Sequence, residues 1–372
     1  MKTTTVTDLH RRLLSNFLAD TTDLAAREVS ITADAVVSDS IHKSERTNLF
    51  AATPQPVAFS GEIPESQCFL SLEILDTPVL LTRSDDGQLR AFINSCAHRG
   101  AILARGSGRA RSLTCAFHGW SYRHNGKLRG RPKEDCFDSE IDKCSLIPLP
   151  VSEQSGIVFV SIDRDTPAAT VDNAAAGLES ELVDHGFENY RSIGRLQFEV
   201  NANWKLVNDL SLESYHFKTL HRDSVAQILE SHAVFDTMGI HSRWAFPLQS
   251  IRELEKLNED DWPDTLQGSC TYTLFPGVMF IVNSLGAQMI RAEPGDGPAH
   301  CRVTYAGVCA PGCDMEEAKA AYQFGGTVFK DEDLPTAEEC QRGITATRRD
   351  ILLGRNEPLL QFWHSLWQDA VD

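Results

Sequence analysis

The spacing of apolar and polar residues changes along the chain and predicts different structures in its two halves. Apolar residues recur at helical intervals within about the first 40 residues, which predicts helix there. From about 45 to 165, short alternating or β-branched runs lie between turn signals such as Asp86-Gly87 and Asn125-Gly126. We therefore predict a small all-β domain, with strands at 69–74, 79–83, 89–94 and 157–162.

The second half mixes the two kinds of pattern and predicts an α+β domain. Short apolar runs predict strands at 272–274 and 278–282, whereas longer stretches at 203–230 and 332–367 have helical spacing. An alanine-rich stretch from 163 to 179, which contains Pro167, is the predicted domain boundary. The expected organisation is a helical N-terminal segment at 1–44 that packs on the catalytic domain, an all-β domain at 45–165 and a catalytic domain at 166–372.

Composition narrows the class of protein. With 372 residues and 42% hydrophobic residues the chain can bury two cores. It has no apolar run of 18 residues and no signal-peptide core after Met1, so we expect a cytoplasmic protein. A formal charge of −17 argues against binding to nucleic acid or an anionic membrane, and hints weakly at a basic docking surface on a partner.

Cysteine and histidine form one compact pattern. Cys96-x-His98 is followed, after a gap of 16 residues, by Cys115-x-x-His118, and the other eight of the ten cysteines are scattered without a disulfide framework. Two cysteines and two histidines can hold zinc or a Rieske-type [2Fe–2S] cluster. In the cluster, neutral imidazoles on one iron raise the potential above that of an all-cysteine centre.

The residues around this pattern favour the cluster over zinc. Segments 94–101 and 115–122 resemble the two cluster-binding loops of the Rieske family. That family usually has proline after the first cysteine and Pro-Tyr between the second cysteine and histidine. Ala97, Ala116 and Phe117 depart from this, but none of the three positions supplies a ligand.

A second histidine pair, His216 and His221, lies about a hundred residues later. Residues five apart on a regular helix point about 140° away from each other, so both rings could bind one metal only if the helix unwinds or contains a π-bulge. Taken alone, this pair would most simply be two unrelated helical histidines. The Rieske pattern that precedes the pair instead favours a metal site at His216 and His221.

Together these motifs, with Asn203-Trp204-Lys205 before the histidines, resemble the catalytic (alpha) subunit of Rieske non-heme iron oxygenases over residues 45–372. The resemblance implies a helix-grip (START-like) catalytic domain of antiparallel sheet and helices. It also implies a mononuclear Fe(II) held by His216, His221 and one carboxylate. In this family the carboxylate is an aspartate at a fixed spacing before a glutamate and a glutamine. Glu338 and Gln341 fit that spacing and favour Asp333 as the carboxylate, with Asp331 and Glu332 as competitors.

Glu213 occupies the position at which many members of this family have aspartate. The match implies that Glu213 links His216 to His118 of another subunit. With glutamate at this position, the chain also resembles those members of the family that act on quaternary ammonium compounds such as carnitine and choline. Asp209, a candidate catalytic residue, flanks the ligands with Leu212 and Phe217, although helix packing explains these three positions equally well.

The resemblance also implies partners. The chain has no nucleotide fingerprint and no four-cysteine ferredoxin spacing, so NAD(P)H electrons must arrive through a separate reductase of flavin or ferredoxin type. A homotrimer is expected, acting with O2 on a small organic molecule by hydroxylation, dihydroxylation or oxidative dealkylation. A Rieske electron-transfer protein or an iron–sulfur sensor without catalysis is the alternative.

Overall fold

The computed structural model describes residues 1–371, which form two compact units. The larger unit comprises Met1–Leu49, Ala176–Gly186 and Tyr190–Asp372, and the smaller comprises Phe50–Ala175 and Phe187–Asn189. The predicted bounds 1–44, 45–165 and 166–372 stay predictions, and Asp372, the last residue of the third segment, lies outside the described residues. No helix within residues 1–371 is both long and apolar enough to cross a membrane.

The helices are numbered in chain order. They are α1 (Thr3–Leu18), α2 (Asp34–Val37), α3 (Asp39–Ser44), α4 (Ala168–Asp172), α5 (Glu179–His185), α6 (Trp204–Leu210), α7 (Met315–Val328), α8 (Leu334–Thr347) and α9 (Pro358–Val371). Two π-helical segments adjoin them, Glu45–Ala51 after α3 and Phe329–Asp333 between α7 and α8.

The strands are numbered in the same way. They are β1 (Val29–Ile31), β2 (Gln55–Phe59), β3 (Cys68–Ile74), β4 (Thr77–Arg83), β5 (Leu89–Ile93), β6 (Ser107–Arg109), β7 (Leu113–Thr114), β8 (Ser121–Tyr122), β9 (Leu128–Gly130), β10 (Pro148–Leu149), β11 (Val151–Gln154), β12 (Ile157–Val160), β13 (Arg191–Val200), β14 (Val234–Met238), β15 (His241–Pro247), β16 (Gly268–Leu274), β17 (Val278–Asn283), β18 (Gly286–Pro294), β19 (Cys301–Cys309) and β20 (Ile351–Leu353).

The smaller unit is built from three antiparallel sheets. Their strand orders are β10-β5-β4-β3-β6, β11-β12-β2 and β7-β8-β9. The four strands predicted here are confirmed to within two residues at each end, as β3, β4, β5 and β12. Two loops matter for function: one follows β5, and the other joins β7 to β8.

The larger unit contains a seven-stranded antiparallel sheet in the order β13-β19-β18-β17-β16-β15-β14. Strands β16 to β19 are buried almost throughout, and α7 contacts β13 and β19. Sheet and helices together confirm the predicted α+β class, with one all-β domain and one domain of antiparallel sheet and helices.

Three predicted helical stretches are wrong in part. The helix predicted at 203–230 starts after Asn203, whose side chain accepts from the Lys205 N–H, but it ends at Leu210 and continues as turns. The stretches 1–40 and 332–367 are interrupted by β1 and β20, which pair with each other (Val29 with Leu353). Strand pairing between the two ends of the chain overrides helical spacing in both places, because local propensity is weak against tertiary contacts.

A buried ion pair joins α6 to the segment after α3. Glu45 and Lys205 are both fully buried and their side chains form a salt bridge. The Glu45 carboxylate also accepts from Trp204 Nε1 at 2.9 Å and Trp367 Nε1 at 2.7 Å. Burial lowers the pKa of Lys205, although the charge of Glu45 opposes the shift.

Replacing Lys205 with methionine is expected to lower the free energy of unfolding by about 3–5 kcal/mol, because it leaves the Glu45 carboxylate buried without its cation. Combining it with Glu45→Gln removes the uncompensated charge and should restore part of the loss. Thermal unfolding of both variants tests this. A Tm unchanged by Lys205→Met would contradict the structural role of the pair.

Candidate functional site

The two Cys-His loops of the smaller unit share one backbone arrangement. In the first, the N–H of Gly100 donates to the Cys96 carbonyl at 2.9 Å, and in the second the N–H of Gly119 donates to the Cys115 carbonyl at 2.9 Å. Both glycines have φ +75°, a conformation that side chains rarely adopt. The two loops therefore hold Cys96 and Cys115 in the same backbone arrangement.

Burial within the loops differs between the two residue types. The Cys96 and Cys115 side chains lie in the core of the unit, whereas His98 is half-buried and His118 is exposed. The imidazole centroids lie 4.7 Å apart. Burial raises the pKa of the Cys96 thiol, while a hydrogen bond with Tyr122, 3.3 Å from the sulfur, opposes the shift. Two inner thiols and two outer imidazoles fit the mixed donor set of a Rieske cluster.

An aromatic stack supports one of these histidines. The Trp120 ring lies parallel to His98, with centroids 4.9 Å apart and 3° between the planes. The buried Arg131 guanidinium lies 5.3 Å from the Trp120 ring and 4.6 Å from the Phe137 ring, and it is held by hydrogen bonds to Glu134. The stack limits rotation of the His98 ring. Sequence reasoning missed Arg131, since only its burial distinguishes it from its basic neighbours.

In the larger unit, the structure brings His216, His221 and Asp333 together. One potential ligand atom from each lies within 4.8 Å of the others. Asp333 Oδ1 is 3.1 Å from His221 Nε2 and 3.8 Å from His216 Nε2. Two imidazoles and a carboxylate on one side of an ion suit non-heme Fe(II) and leave positions open for other molecules.

Irregular backbone produces this convergence. Because α6 ends at Leu210, the two histidines lie on consecutive turns, in which the N–H of Leu220 donates to the His216 carbonyl at 2.8 Å. Asp333 is the last residue of the π-helical segment Phe329–Asp333. The unwinding expected from the spacing of the histidines is thus present, and a π-helix occurs at the carboxylate instead. Such segments are frequent at functional sites.

Of the two competitors of Asp333, neither belongs to this group of three. Glu332 turns to the other face of His221, with its carboxylate 2.6 Å from Nδ1 and 2.9 Å from the Ser224 hydroxyl. Asp331 is exposed and pairs with Lys330 at 3.5 Å. Burial alone would lower the pKa of His221, but hydrogen bonds and charges from Asp333 and Glu332 raise it. A divalent cation is favoured where two carboxylates face one imidazole.

Replacing Glu332 with glutamine should weaken iron binding by roughly ten- to a hundred-fold, because the carboxylate orients His221 and increases its basicity. Iron titration of the apoprotein, followed by the recovery of activity, measures the affinity. Glu339→Gln, on an exposed position of α8, is the control. Equal affinities in the two variants would contradict this role for Glu332.

Glu213 bonds with the outer nitrogen of the other histidine. Its carboxylate contacts His216 Nδ1 and accepts from the backbone N–H groups of Tyr215 and His216. It also borders a cleft of about 20 Å³ lined in part by Trp244 and Glu357. Burial raises the pKa of Glu357, and the charges of Glu213 and Asp209 add to that shift. This region of the larger unit is therefore rich in carboxylates.

Asp209 is not among the three grouped residues. Its Oδ1 lies 2.9 Å from Nε2 of the buried His364. Leu212 and Phe217 are buried beside the turns. The Phe217 ring lies 5.1 Å from His216 and 5.4 Å from Phe246, and Phe246 lies 4.5 Å from Trp244. An aromatic trio thus adjoins the histidines. Trp244 Nε1 has no hydrogen-bond partner among residues 1–371.

Comparison with known proteins agrees with this geometry. The profile of a family described as "Ring hydroxylating alpha subunit (catalytic domain)" matches residues 187–372, and that of the "Rieske [2Fe-2S] domain" matches 53–150. The carnitine monooxygenase oxygenase subunit of Escherichia coli is 28% identical over 309 residues, covering 81% of this chain and 80% of its own. The glycine betaine monooxygenase oxygenase subunit of Pseudomonas aeruginosa is 34% identical over 176 residues, 47% of this chain and 41% of its own.

Solved structures share the fold at low sequence identity. The quaternary ammonium Rieske monooxygenase CntA bound to L-carnitine matches with a TM-score of 0.77 at 22% identity, over 93% of this chain and 96% of its own. Naphthalene 1,2-dioxygenase of Rhodococcus bound to indole matches with a TM-score of 0.76 at 16% identity, over 98% of both chains.

Proposed function

This chain belongs to the ring-hydroxylating alpha-subunit family and is the terminal oxygenase of a multicomponent Rieske system, and we propose that its substrate is a small quaternary ammonium compound. It uses a [2Fe–2S] Rieske cluster and a mononuclear iron, with NAD(P)H electrons delivered by a reductase. The match to a catalytic domain disfavours a pure electron-transfer protein or a sensor.

The residue roles follow from the donor sets. We propose Cys96, His98, Cys115 and His118 as cluster ligands, supported by the matching loops and the inner and outer placement of thiols and imidazoles. We propose His216, His221 and Asp333 as iron ligands, supported by their grouping. When bound, the two centres supply electron transfer and activation of O2. The protein orients the imidazoles through Glu213 and Glu332.

The relatives and the charge of the site support the proposed substrate class. Carnitine and glycine betaine, which appear in the names of the relatives, are both quaternary ammonium compounds. Near His216 and His221, carboxylates of Glu213, Asp209 and Glu357 lie in the same part of the unit as the aromatic trio. Aromatic faces and carboxylates attract a cation that cannot donate hydrogen bonds. The Phe217 ring, 5.1 Å from the His216 ring, is the observation that carries the proposal.

The proposed reaction is hydroxylation of a C–H bond next to the quaternary nitrogen. One oxygen atom of O2 enters the bond, and the other leaves as water after uptake of two electrons and two protons. The resulting N–C–OH compound is unstable: its C–N bond breaks with loss of the hydroxyl proton. The products are a tertiary amine and an aldehyde.

We further propose a homotrimer in the cytoplasm. A trimer would let Glu213 link His216 to His118 of a neighbouring subunit, as the family resemblance implies. The ten cysteines all lie within the described residues and form no disulfide there, which is the usual condition in a reducing compartment.

A matched substrate panel tests the substrate class. Carnitine, glycine betaine and choline are compared with 3,3-dimethylbutanol, the uncharged carbon analogue of choline, and with 2-aminobenzenesulfonate. Product formed per NADH consumed is measured with a surrogate reductase, as aldehyde and tertiary amine for the quaternary amines and as hydroxylated product for the other two compounds. We expect coupled product from at least one quaternary amine and none from the carbon analogue. Coupled product only from the aromatic acid would overturn the substrate proposal and leave the oxygenase class intact.

Replacing Phe217 with leucine should raise KM for the quaternary amine by roughly thirty-fold, since a desolvated cation–π contact contributes about 2 kcal/mol. Leucine retains apolar packing but has no aromatic face. Phe246→Leu separates a contact with substrate from packing of the trio, since Phe246 packs against Phe217 with ring centroids 5.4 Å apart. Equal changes in KM for the two variants would contradict a direct contact of Phe217 with the cation.

A further inference from the structure

Charge is distributed unevenly between the two units. Residues 95–133 contain nine lysines and arginines and no aspartate or glutamate, although the whole chain has a formal charge of −17. The larger unit has 22 basic and 36 acidic residues, and the smaller has 13 and 16. The acidic excess therefore belongs mostly to the larger unit, and the segment with both Cys-His loops is basic.

The sheet β7-β8-β9 and the turn between β8 and β9 carry several of these cations. The inward side chains of the sheet are those of Leu113, Tyr122 and Leu128. They are buried in the same core cluster as Cys96 and Cys115. Successive side chains of a strand point to opposite faces. Arg123, Lys127 and Arg129 accordingly are exposed. Arg123 and Lys127 face each other across a turn closed by a backbone hydrogen bond of 2.9 Å.

Arg111 adjoins the same sheet. His124, which follows Arg123, has its Nε2 atom 2.7 Å from the carbonyl of Ala110, which precedes Arg111. This contact holds the two chain segments beside each other. We name Arg111, Arg123, Lys127 and Arg129 the basic face. Within the part of the chain that the structure describes, no carboxylate lies within ion-pair distance of these four exposed side chains. Their charge is available to a partner.

We infer that the basic face docks an acidic surface of the electron-donor protein. The inference rests on the proposed cluster ligands, because the loop of Cys115 and His118 joins the two strands next to this face. Arg123 directly follows Tyr122, whose hydroxyl lies 3.3 Å from the Cys96 sulfur, so a donor that binds here would lie close to a proposed cysteine ligand of the cluster. This end of the sheet is opposite the loop that carries His118. The field of unpaired cations would also speed encounter with an acidic partner at low salt.

A transient donor fits this surface better than a second copy of the chain. Permanent interfaces are large and apolar, whereas redox encounters are small and polar. In the smaller unit the large hydrophobic side chains exposed among the described residues are Phe117 and Ile147. Phe117 lies on the loop at the other end of the sheet from Arg111 and Arg123. A face of four unpaired cations suits a partner that binds, delivers an electron and leaves.

The rate of cluster reduction tests the inference. The probe is a reduced, acidic plant-type [2Fe–2S] ferredoxin, mixed with the oxidised oxygenase in a stopped-flow instrument at low and high salt. If net charge controlled the encounter, two acidic proteins would react faster as salt rises. We expect the opposite, a second-order rate constant that falls as salt rises. Arg123→Glu with Lys127→Glu should lower the low-salt rate by roughly tenfold or more and remove its fall with salt.

The control is Arg164→Glu with Arg349→Glu, which makes the same change in net charge at exposed positions outside the sheet. Cluster content and oligomer mass are measured for every variant. Equal rates for the two double variants with intact clusters would overturn the docking site alone. Loss of assembly with an unchanged rate would assign the face to a second copy and overturn it too. Purified wild-type protein without a cluster would overturn the ligand assignment, and the docking inference with it.

Discussion

Replacing Asp333 with alanine is expected to abolish substrate oxidation while leaving the iron–sulfur cluster in place. Asp333 supplies the carboxylate of the group formed with His216 and His221, whereas the cluster loops belong to the other unit. Without this carboxylate, two neutral imidazoles remain to hold a dication. The purified variant should contain about two irons per two sulfides instead of about three, and its turnover should fall by more than roughly a hundred-fold.

Asp331→Ala is the matched control. Asp331 lies two residues away in the same π-helical segment but is exposed and pairs with Lys330. It should keep full iron content and normal turnover. Iron, acid-labile sulfide and the reduced-cluster paramagnetic resonance signal are measured on both proteins. Full iron content in Asp333→Ala would assign the third ligand elsewhere, with Glu332 as the first residue to test next.

Replacing Glu213 with glutamine is expected to keep both metal centres and slow coupled turnover by roughly a hundred-fold or more. Glu213 bonds with His216 Nδ1 and caps the following turn through two backbone N–H groups. An amide has one acceptor oxygen and no charge, so it cannot hold a donor on each side of the side chain. The proposed link from His216 to a neighbouring subunit would then fail, while the proposed iron ligands stay in place.

Single-turnover kinetics separate this effect from a loss of iron. The cluster is reduced in advance, substrate and O2 are added, and the rate of cluster reoxidation is followed by absorbance. Glu230→Gln serves as the control, since Glu230 is half-buried and pairs with Lys218 on the same stretch of chain. Reoxidation at the wild-type rate in Glu213→Gln would remove the linking role.

The cluster motif and the main strands could be predicted from the sequence because they depend on local spacing. Cys96 and His98 lie on one loop, and Cys115 and His118 lie on another. Short alternating or β-branched runs of residues predicted the strands β3, β4, β5 and β12. The family register also placed Asp333 as the candidate carboxylate, and the structure brings Asp333 to both histidines. In each case residues close in sequence, or a spacing shared with a family, carried the information.

Contacts between distant segments decided the rest. Local spacing favoured helix through residue 230, but α6 ends at Leu210, and the turns that follow place His221 where Glu332, more than a hundred residues later, can bond with it. The Glu45–Lys205 pair likewise joins segments that no local pattern connects. The sequence by itself determined the types of the candidate ligands, the strands and the acid-free stretch at 95–133. Tertiary structure decided which carboxylates face the histidines and which cations stay exposed, because burial and pairing depend on residues far apart in the chain.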